Sequence, residues 1–405
     1  MNLEQIKEYD REYFMNTFGE RTPVAFEYGK GMKLYSTDGE VYTDFLSGIA
    51  VSALGHSHPL LTKAITDQAG KLIHCSSLYY IENQALLARE IVTWSCADKV
   101  FFSNSGAEAN EGAIKLSRLY HNKQGKPDRY EIITLEKSFH GRTLATIAAT
   151  GQEKYQKPFC PLTPKFRSVP INDIQALEAA IDENTCAIML EPIQGESGVN
   201  PVSQEYMKSI RSICDEKDVV LIFDEVQCGM GRTGRMFGYE HYGVEPDIFT
   251  LAKALGGGFP IGALCAKEKF ALAFSPGDHG STFGGNPLAC AAGLAVFEAF
   301  RQENLVENSR VMGSYLIGKL KDLAFRFPVI TEIRGMGLMI GIQLEKGIAK
   351  EIRQAMHRKG FLIGNVRDNI LRLLPPLIVG REDIDRLAEA FVHAFTEAGE
   401  GERNG

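Results

Sequence analysis

The chain has 405 residues, 44% of them hydrophobic and 23% charged, with a formal net charge of -7. This composition supports a large core divided over about two or three domains. Its interspersed, mildly acidic charge argues against nucleic acid as the main partner. No apolar run reaches membrane-spanning length, and the start MNLEQIKEYDREYF lacks the basic and apolar regions of a secretory signal. The eight cysteines are scattered, with no C-x-x-C pair and no zinc spacing. The expectation is reduced thiols in a cytoplasmic protein, with no metal site.

In chain order, a helix is predicted near 3–14, followed by short strands near 32–34 and 41–44 joined by a Thr-Asp-Gly-Glu turn. From about residue 57, apolar runs rich in β-branched residues alternate with helical patterns. The runs are KVFFS (99–103), EIITLE (131–136), CAIML (186–190), VVLIF (219–223), DIFTLA (247–252) and GALCA (262–266). Such runs predict a mostly parallel sheet covered on both faces, hence an α/β fold. A helix then opens at Asn286, an N-cap residue, with Pro287 at its first position. Strands near 329–334, 338–343 and 370–373 and helices near 347–359 and 382–398 predict a smaller α+β domain. The tail EGERNG is expected to fray. The expected division is an N-terminal segment (1–56) packing with the small domain, a large domain (57–286) and a small C-terminal domain (287–405).

Ligands of open α/β sheets bind beyond the carboxyl ends of the strands. The segments there are NSGAEANEGAIKLSRLY, KSFHGRT, EPIQGESG, DEVQCGMGRTG and TLAKALGGGFPIG. They bring Ser105, Phe139, Arg142, Glu191, Glu196, Asp224, Gln227 and Lys253 to one edge. Taken singly, Ser105-Gly106 reads as a helix cap or as an anion site on helix amides. Asp224 reads as a turn residue or as a carboxylate that keeps a heteroaromatic nitrogen protonated. Lys253 sits in an apolar run, where an ammonium is costly to bury. Together they offer an amine, an acid, an anion site and an aromatic face. Those are the four requirements of pyridoxal phosphate.

These motifs, with FLSGIAVSALGHSHP, HGSTFGGNPLACAA and LRLLPPLIV, resemble the class III, ornithine-type aminotransferases of the fold-type I pyridoxal-phosphate enzymes, and within them the acetylornithine branch. The resemblance covers nearly the whole chain. It implies a transaminase with a large domain holding a mostly parallel sheet and a smaller α+β domain. Lys253 would bond the cofactor aldehyde and carry the proton, and Asp224 would bind the ring nitrogen. Gln227 would bond the ring hydroxyl, with Val226 and Phe139 on the two ring faces and Glu225 among the cofactor contacts. Ser105 and Gly106 would hold the phosphate. Thr282 would reach the phosphate of a neighbouring subunit, which implies a homodimer with shared sites. In two places the chain departs from its relatives: Ala107 stands where many carry threonine, and Phe18 where they often carry tyrosine.

For substrates, the resemblance places Arg142 on the carboxylate far from the reacting amine and Arg372 on the α-carboxylate of glutamate. Glu196 would pair with Arg372 when the terminal-amine substrate is bound. Ser281 is a further substrate contact by resemblance. Ile49 falls where ornithine-specific relatives tend to carry tyrosine, and an apolar residue there suits an acylated α-amine. The expected reaction therefore joins N2-acetylornithine and 2-oxoglutarate in arginine biosynthesis. The same chemistry on succinylornithine, ornithine or 4-aminobutyrate is the nearest alternative. A mutase, a decarboxylase or a silent binding protein with the same cofactor fold is the more distant one.

Overall fold

The computed structural model describes residues 1–399, so the EGERNG tail lies outside the described residues. At its centre is a seven-stranded sheet. In spatial order its strands are Lys99–Ser103, Gly262–Ala266, Ile248–Leu251, Val220–Asp224, Thr185–Leu190, Glu131–Leu135 and Phe166–Val169. All run parallel except Gly262–Ala266, which is antiparallel to both neighbours. The central strands are buried on both faces, with Ile188, Leu221, Ile222, Phe223 and Phe249 at 0–1% exposure. An unbroken apolar strand fits only such a position.

The predicted strands fall within one or two residues of those observed. Missing from the expectation was the edge strand Phe166–Val169, whose FRSV run is mostly half-exposed or exposed. Farther along, Asn286 Oδ1 accepts the Ala289 amide at 2.8 Å, and Pro287 opens the helix Pro287–Glu303 as expected. A second long helix, Leu305–Arg326, was not anticipated. It follows after one left-handed residue, Asn304 (φ 52°).

A second sheet pairs Ile330–Met336, Met339–Leu344, Ile370–Leu373 and Gly364–Val366, all antiparallel. Arg372 lies on its Ile370–Leu373 strand. Both of its cross-strand neighbours are glycines, Gly341 and Gly364. A Cβ at Gly341 would lie 2.7 Å from the Gly198 carbonyl. Glycine there lets the loop carrying Glu196 lie against the strand Met339–Leu344, next to the one carrying Arg372. A third sheet joins Phe26–Lys30, Lys33–Ser36 and Val41–Asp44 to Phe361–Leu362. The N-terminal strands are thus hydrogen-bonded to the C-terminal part of the chain. No helix of the described residues is long and apolar enough to cross a membrane.

Candidate active site

Because the strands run parallel, their carboxyl ends share one edge, and the loops beyond it enclose a cavity of about 430 Å³. Ser105, Gly106, Phe139, Arg142, Glu191, Glu196, Asp224, Val226, Gln227 and Lys253 all line it. Asn104, Ala107, Asn110, His140 and Val51 do so too. The convergence expected from the sequence is therefore present for ten residues from five strand ends.

Asp224 ends its strand at 3% exposure. Its Oδ2 accepts from Asn110 Nδ2 and His140 Nδ1, both at 2.8 Å, and its Oδ1 accepts from the Val226 amide at 3.0 Å. Asn110 is itself fixed. It donates to the His140 carbonyl at 2.7 Å and accepts from Thr250 Oγ1 at 2.7 Å. This network keeps the carboxylate oriented in a dry place, where an unpaired charge would be costly. The sequence reading gave no role to Asn110 or His140. Asn110 lies one turn into the helix that Ser105 caps, and His140 is the neighbour of Phe139 in FHG.

Ser105 is indeed a helix cap. Its hydroxyl accepts the Glu108 amide at 3.2 Å, at the start of the helix Gly106–Lys123. The cap and the anion site coexist. The amides of Gly106 and Ala107 have no acceptor within an α-helix, and the macrodipole favours an anion at this end. Gly106 is required by shape, because a Cβ there would lie 2.8 and 2.9 Å from the two γ-carbons of Val226.

Lys253 opens a single 3-10 turn with φ 45°, a left-handed value that only a constrained site retains in lysine. Burial pulls its ammonium below the ordinary lysine range, and Arg372 adds to the effect. Glu196, Asp224 and Glu191 pull the other way. An amine with a depressed pKa is a better nucleophile near neutral pH.

Arg372 is 4% exposed. Its Nη1 donates to Glu196 Oε1 at 2.7 Å and to the Gly195 carbonyl at 3.1 Å, while its Nε is buried without a partner. Burial alone would raise the Glu196 carboxyl. Arg372, Lys253 and the hydrogen bonds from Arg372 and Gln227 hold it below its usual range. Glu191, pushed up by burial, accepts the Phe139 amide at 2.9 Å and the Gly195 amide at 3.1 Å. It therefore ties the loop carrying the aromatic face to the loop carrying Glu196. Arg142 is exposed at the mouth, its guanidinium 4.0 Å from the Tyr155 ring centroid.

Two expected contacts, Glu225 and Ser281, lie outside this cavity, and Thr282, expected at a neighbouring subunit, is absent from it too. Glu225 turns away from the cavity. Its two oxygens accept the Gly238 and Tyr239 amides at 2.8 Å, and burial pushes its carboxyl up to about 8. Its neighbour Asp224 ends the strand pointing inward, and successive strand side chains face opposite ways. Ser281 lines a different cavity with Phe102 and His279, its hydroxyl accepting the Gly284 amide at 2.9 Å. Thr282 is exposed and lines no part of the cavity around Lys253.

Residues 14–395 match the family model described as Aminotransferase class-III. The chain belongs to the class III aminotransferases. It is 53% identical over 399 residues to an acetylornithine aminotransferase of Methanocaldococcus jannaschii, covering 98% of this chain and 99% of that one. An acetylornithine aminotransferase of Caldanaerobacter subterraneus is 52% identical over 389 residues, covering 96% and 98%. Among solved structures, the ornithine aminotransferase of Toxoplasma gondii superposes with a TM-score of 0.94 at 31% identity, covering 99% and 96%. The acetylornithine aminotransferase of Elizabethkingia anophelis does so with 0.87 at 32%, covering 98% and 100%.

Like other class III aminotransferases, this one uses pyridoxal phosphate, and the residues present fit that group. The cavity presents a buried lysine, a fixed carboxylate and free helix amides. Gly106 packs so closely on Val226 that the backbone amides beside it stay uncovered by any side chain of residue 106. Gln227 Oε1 and His140 Nε2 are buried there without partners among the described residues.

Proposed function

We propose that this class III aminotransferase moves the terminal amino group of N2-acetyl-L-ornithine to 2-oxoglutarate. The products are N-acetyl-L-glutamate 5-semialdehyde and L-glutamate, in cytoplasmic arginine biosynthesis. The observation that carries this reading is its 46–53% identity to eight acetylornithine aminotransferases over 92–98% of its length. The ornithine aminotransferases that superpose well are only 31–33% identical. A shared fold at that level does not select the substrate.

Bound pyridoxal phosphate supplies an aldehyde that takes up amines and a ring that draws electron density. Lys253 would be the amine that holds this aldehyde; once the incoming substrate amine displaces it, its freed Nζ would be placed to take the proton from the substrate carbon bearing nitrogen. Asp224, held by Asn110 and His140, would keep the ring nitrogen protonated. Gly106, Ala107 and the Ser105 turn would hold the phosphate. Val226 and Phe139 would pack against the ring, and Gln227 would bond its hydroxyl. Arg142 takes the distal carboxylate of either substrate. Arg372 takes the α-carboxylate of glutamate and otherwise stays paired with Glu196.

A homodimer with shared sites follows from the same reading. Leu78, Tyr79, Tyr80 and Phe283 form exposed apolar surface, and Thr282 lies beside Phe283 outside its own chain's cavity. Apolar surface of this kind favours a protein partner, and Thr282 and Ser281 then act on the neighbouring site. The eight free thiols, five of them buried, fit a reducing compartment. Acetylornithine, succinylornithine, ornithine and 4-aminobutyrate should be compared by kcat/KM with 2-oxoglutarate as acceptor. Acetylornithine ranking first supports the proposal, and ornithine or 4-aminobutyrate ranking first rejects it.

A further inference from the structure

We propose that a second cavity, between residues 20–23 and the helix Ala349–Arg358, binds a small oxyanion carrying phosphate or carboxylate groups. Its volume is about 430 Å³, and none of its lining residues belongs to the site around Lys253. Arg21, Lys350, Arg353, His357 and Arg358 line it, with Glu20 as the one carboxylate of the lining. Lys350, Arg353 and His357 recur at helical spacing, so they share one face. At the rim, Arg21 pairs with Asp10 and Arg358 with Glu397. Neither Lys350 nor Arg353 has an acidic partner among the described residues.

Two of the lining side chains are under-satisfied. Arg353 is half-buried, and its Nη1 donates to Thr22 Oγ1 at 3.1 Å. Its Nε is buried without a partner, as is His357 Nε2. A guanidinium has five N–H groups arranged to fork around an oxyanion. Burial lowers the His357 imidazole, and Arg353 and Arg358 lower it further. The other groups near it are the Tyr42 ring, 4.8 Å away between centroids, and Glu20 and Arg21 of the facing segment. With Arg21 and Arg358 set against Asp10 and Glu397, the unpaired Lys350 and Arg353 still outnumber Glu20, and the lining keeps a net positive charge that favours an anion. The enclosed volume suits a metabolite rather than a peptide segment. Thr22 and Arg353 come from opposite walls, so a bound anion would clamp the N-terminal segment to the helix.

The test uses the full chain saturated with its cofactor, which keeps the phosphate site near Ser105 filled. Inorganic phosphate and, separately, citrate are titrated at ionic strength held constant with chloride. Binding is read by calorimetry and by histidine side-chain NMR. The expected result is saturable binding of at least one probe, with a rise in the His357 pKa on saturation. Phosphate alone would mark a phosphate ester as the ligand class, and citrate alone a polycarboxylate. Arg353→Gln should weaken binding at least tenfold, and Lys350→Gln severalfold. Lys350 is exposed, so that variant decides the matter even where Arg353→Gln fails to fold. Absence of saturable binding, an unmoved His357 signal, or parental affinity in Lys350→Gln would overturn the proposal. The outcome is independent of which amine the enzyme transfers.

Discussion

Replacing Glu196 with alanine isolates the pairing that lets one cavity serve two unlike amines. Arg372, a residue only 4% exposed, would keep a single acceptor, the Gly195 carbonyl. Its Nε already lacks a partner, and Gln227 Nε2 would lose its acceptor at 3.2 Å. With a terminal-amine substrate bound, nothing else offsets that charge. Stranding a buried, charge-assisted hydrogen bond costs ~1–3 kcal/mol. The terminal-amine half-reaction should therefore slow by about 5- to 150-fold. Glutamate brings its own α-carboxylate to Arg372 and no longer has to displace Glu196. Its half-reaction should keep its rate, with a lower apparent KM. Stopped-flow single turnovers with acetylornithine and with glutamate separate the two. Equal losses in both halves, or none in either, would refute the switch and the placement of Arg372.

Gly106→Ala should push Val226 from its place, since the new Cβ would stand 2.8 Å from a γ-carbon. Overpacking of this kind costs ~1–3 kcal/mol, and equilibrium dialysis of pyridoxal phosphate should show cofactor affinity falling by a corresponding factor. Glu225 retains its proton in the folded chain up to about pH 8, whereas an unfolded glutamate loses it near 4.5. Over that window the unfolded state binds fewer protons, so this residue makes stability fall as pH rises, by up to about 1.4 kcal/mol per unit. Urea unfolding at pH 5, 6.5 and 8 should show a flatter decline in Glu225→Gln, and parallel curves would contradict the assignment. Asn110→Ala removes one of the two bonds on Asp224 Oδ2. It should lower kcat while leaving the KM for 2-oxoglutarate near that of the parent.

The strand ends were legible in the sequence because a doubly covered sheet demands unbroken apolar runs, and polar residues stand out where those runs stop. Asp224, Lys253 and Ser105 were visible for that reason. Glu225 was misplaced because it shares the DEVQ run with true cavity residues, and only the alternation of side chains separates it from Asp224. Asn110 and His140 could not be found from spacing. One lies inside a helix, the other follows an aromatic residue, and each gains its meaning by meeting Asp224 across the fold. The helix Leu305–Arg326 escaped because one left-handed asparagine divides it from the helix before it. Phe166–Val169 escaped because an edge strand need not be apolar.

Reduction of the cofactor-loaded enzyme with borohydride, followed by peptide mass mapping, tests the central claim most directly. That claim is that five strand ends build one pyridoxal-phosphate site around a buried lysine. The label should fall on Lys253, and Lys253→Ala should abolish turnover while leaving the fold intact by circular dichroism. A label on any other lysine, or turnover surviving in Lys253→Ala, would contradict the account.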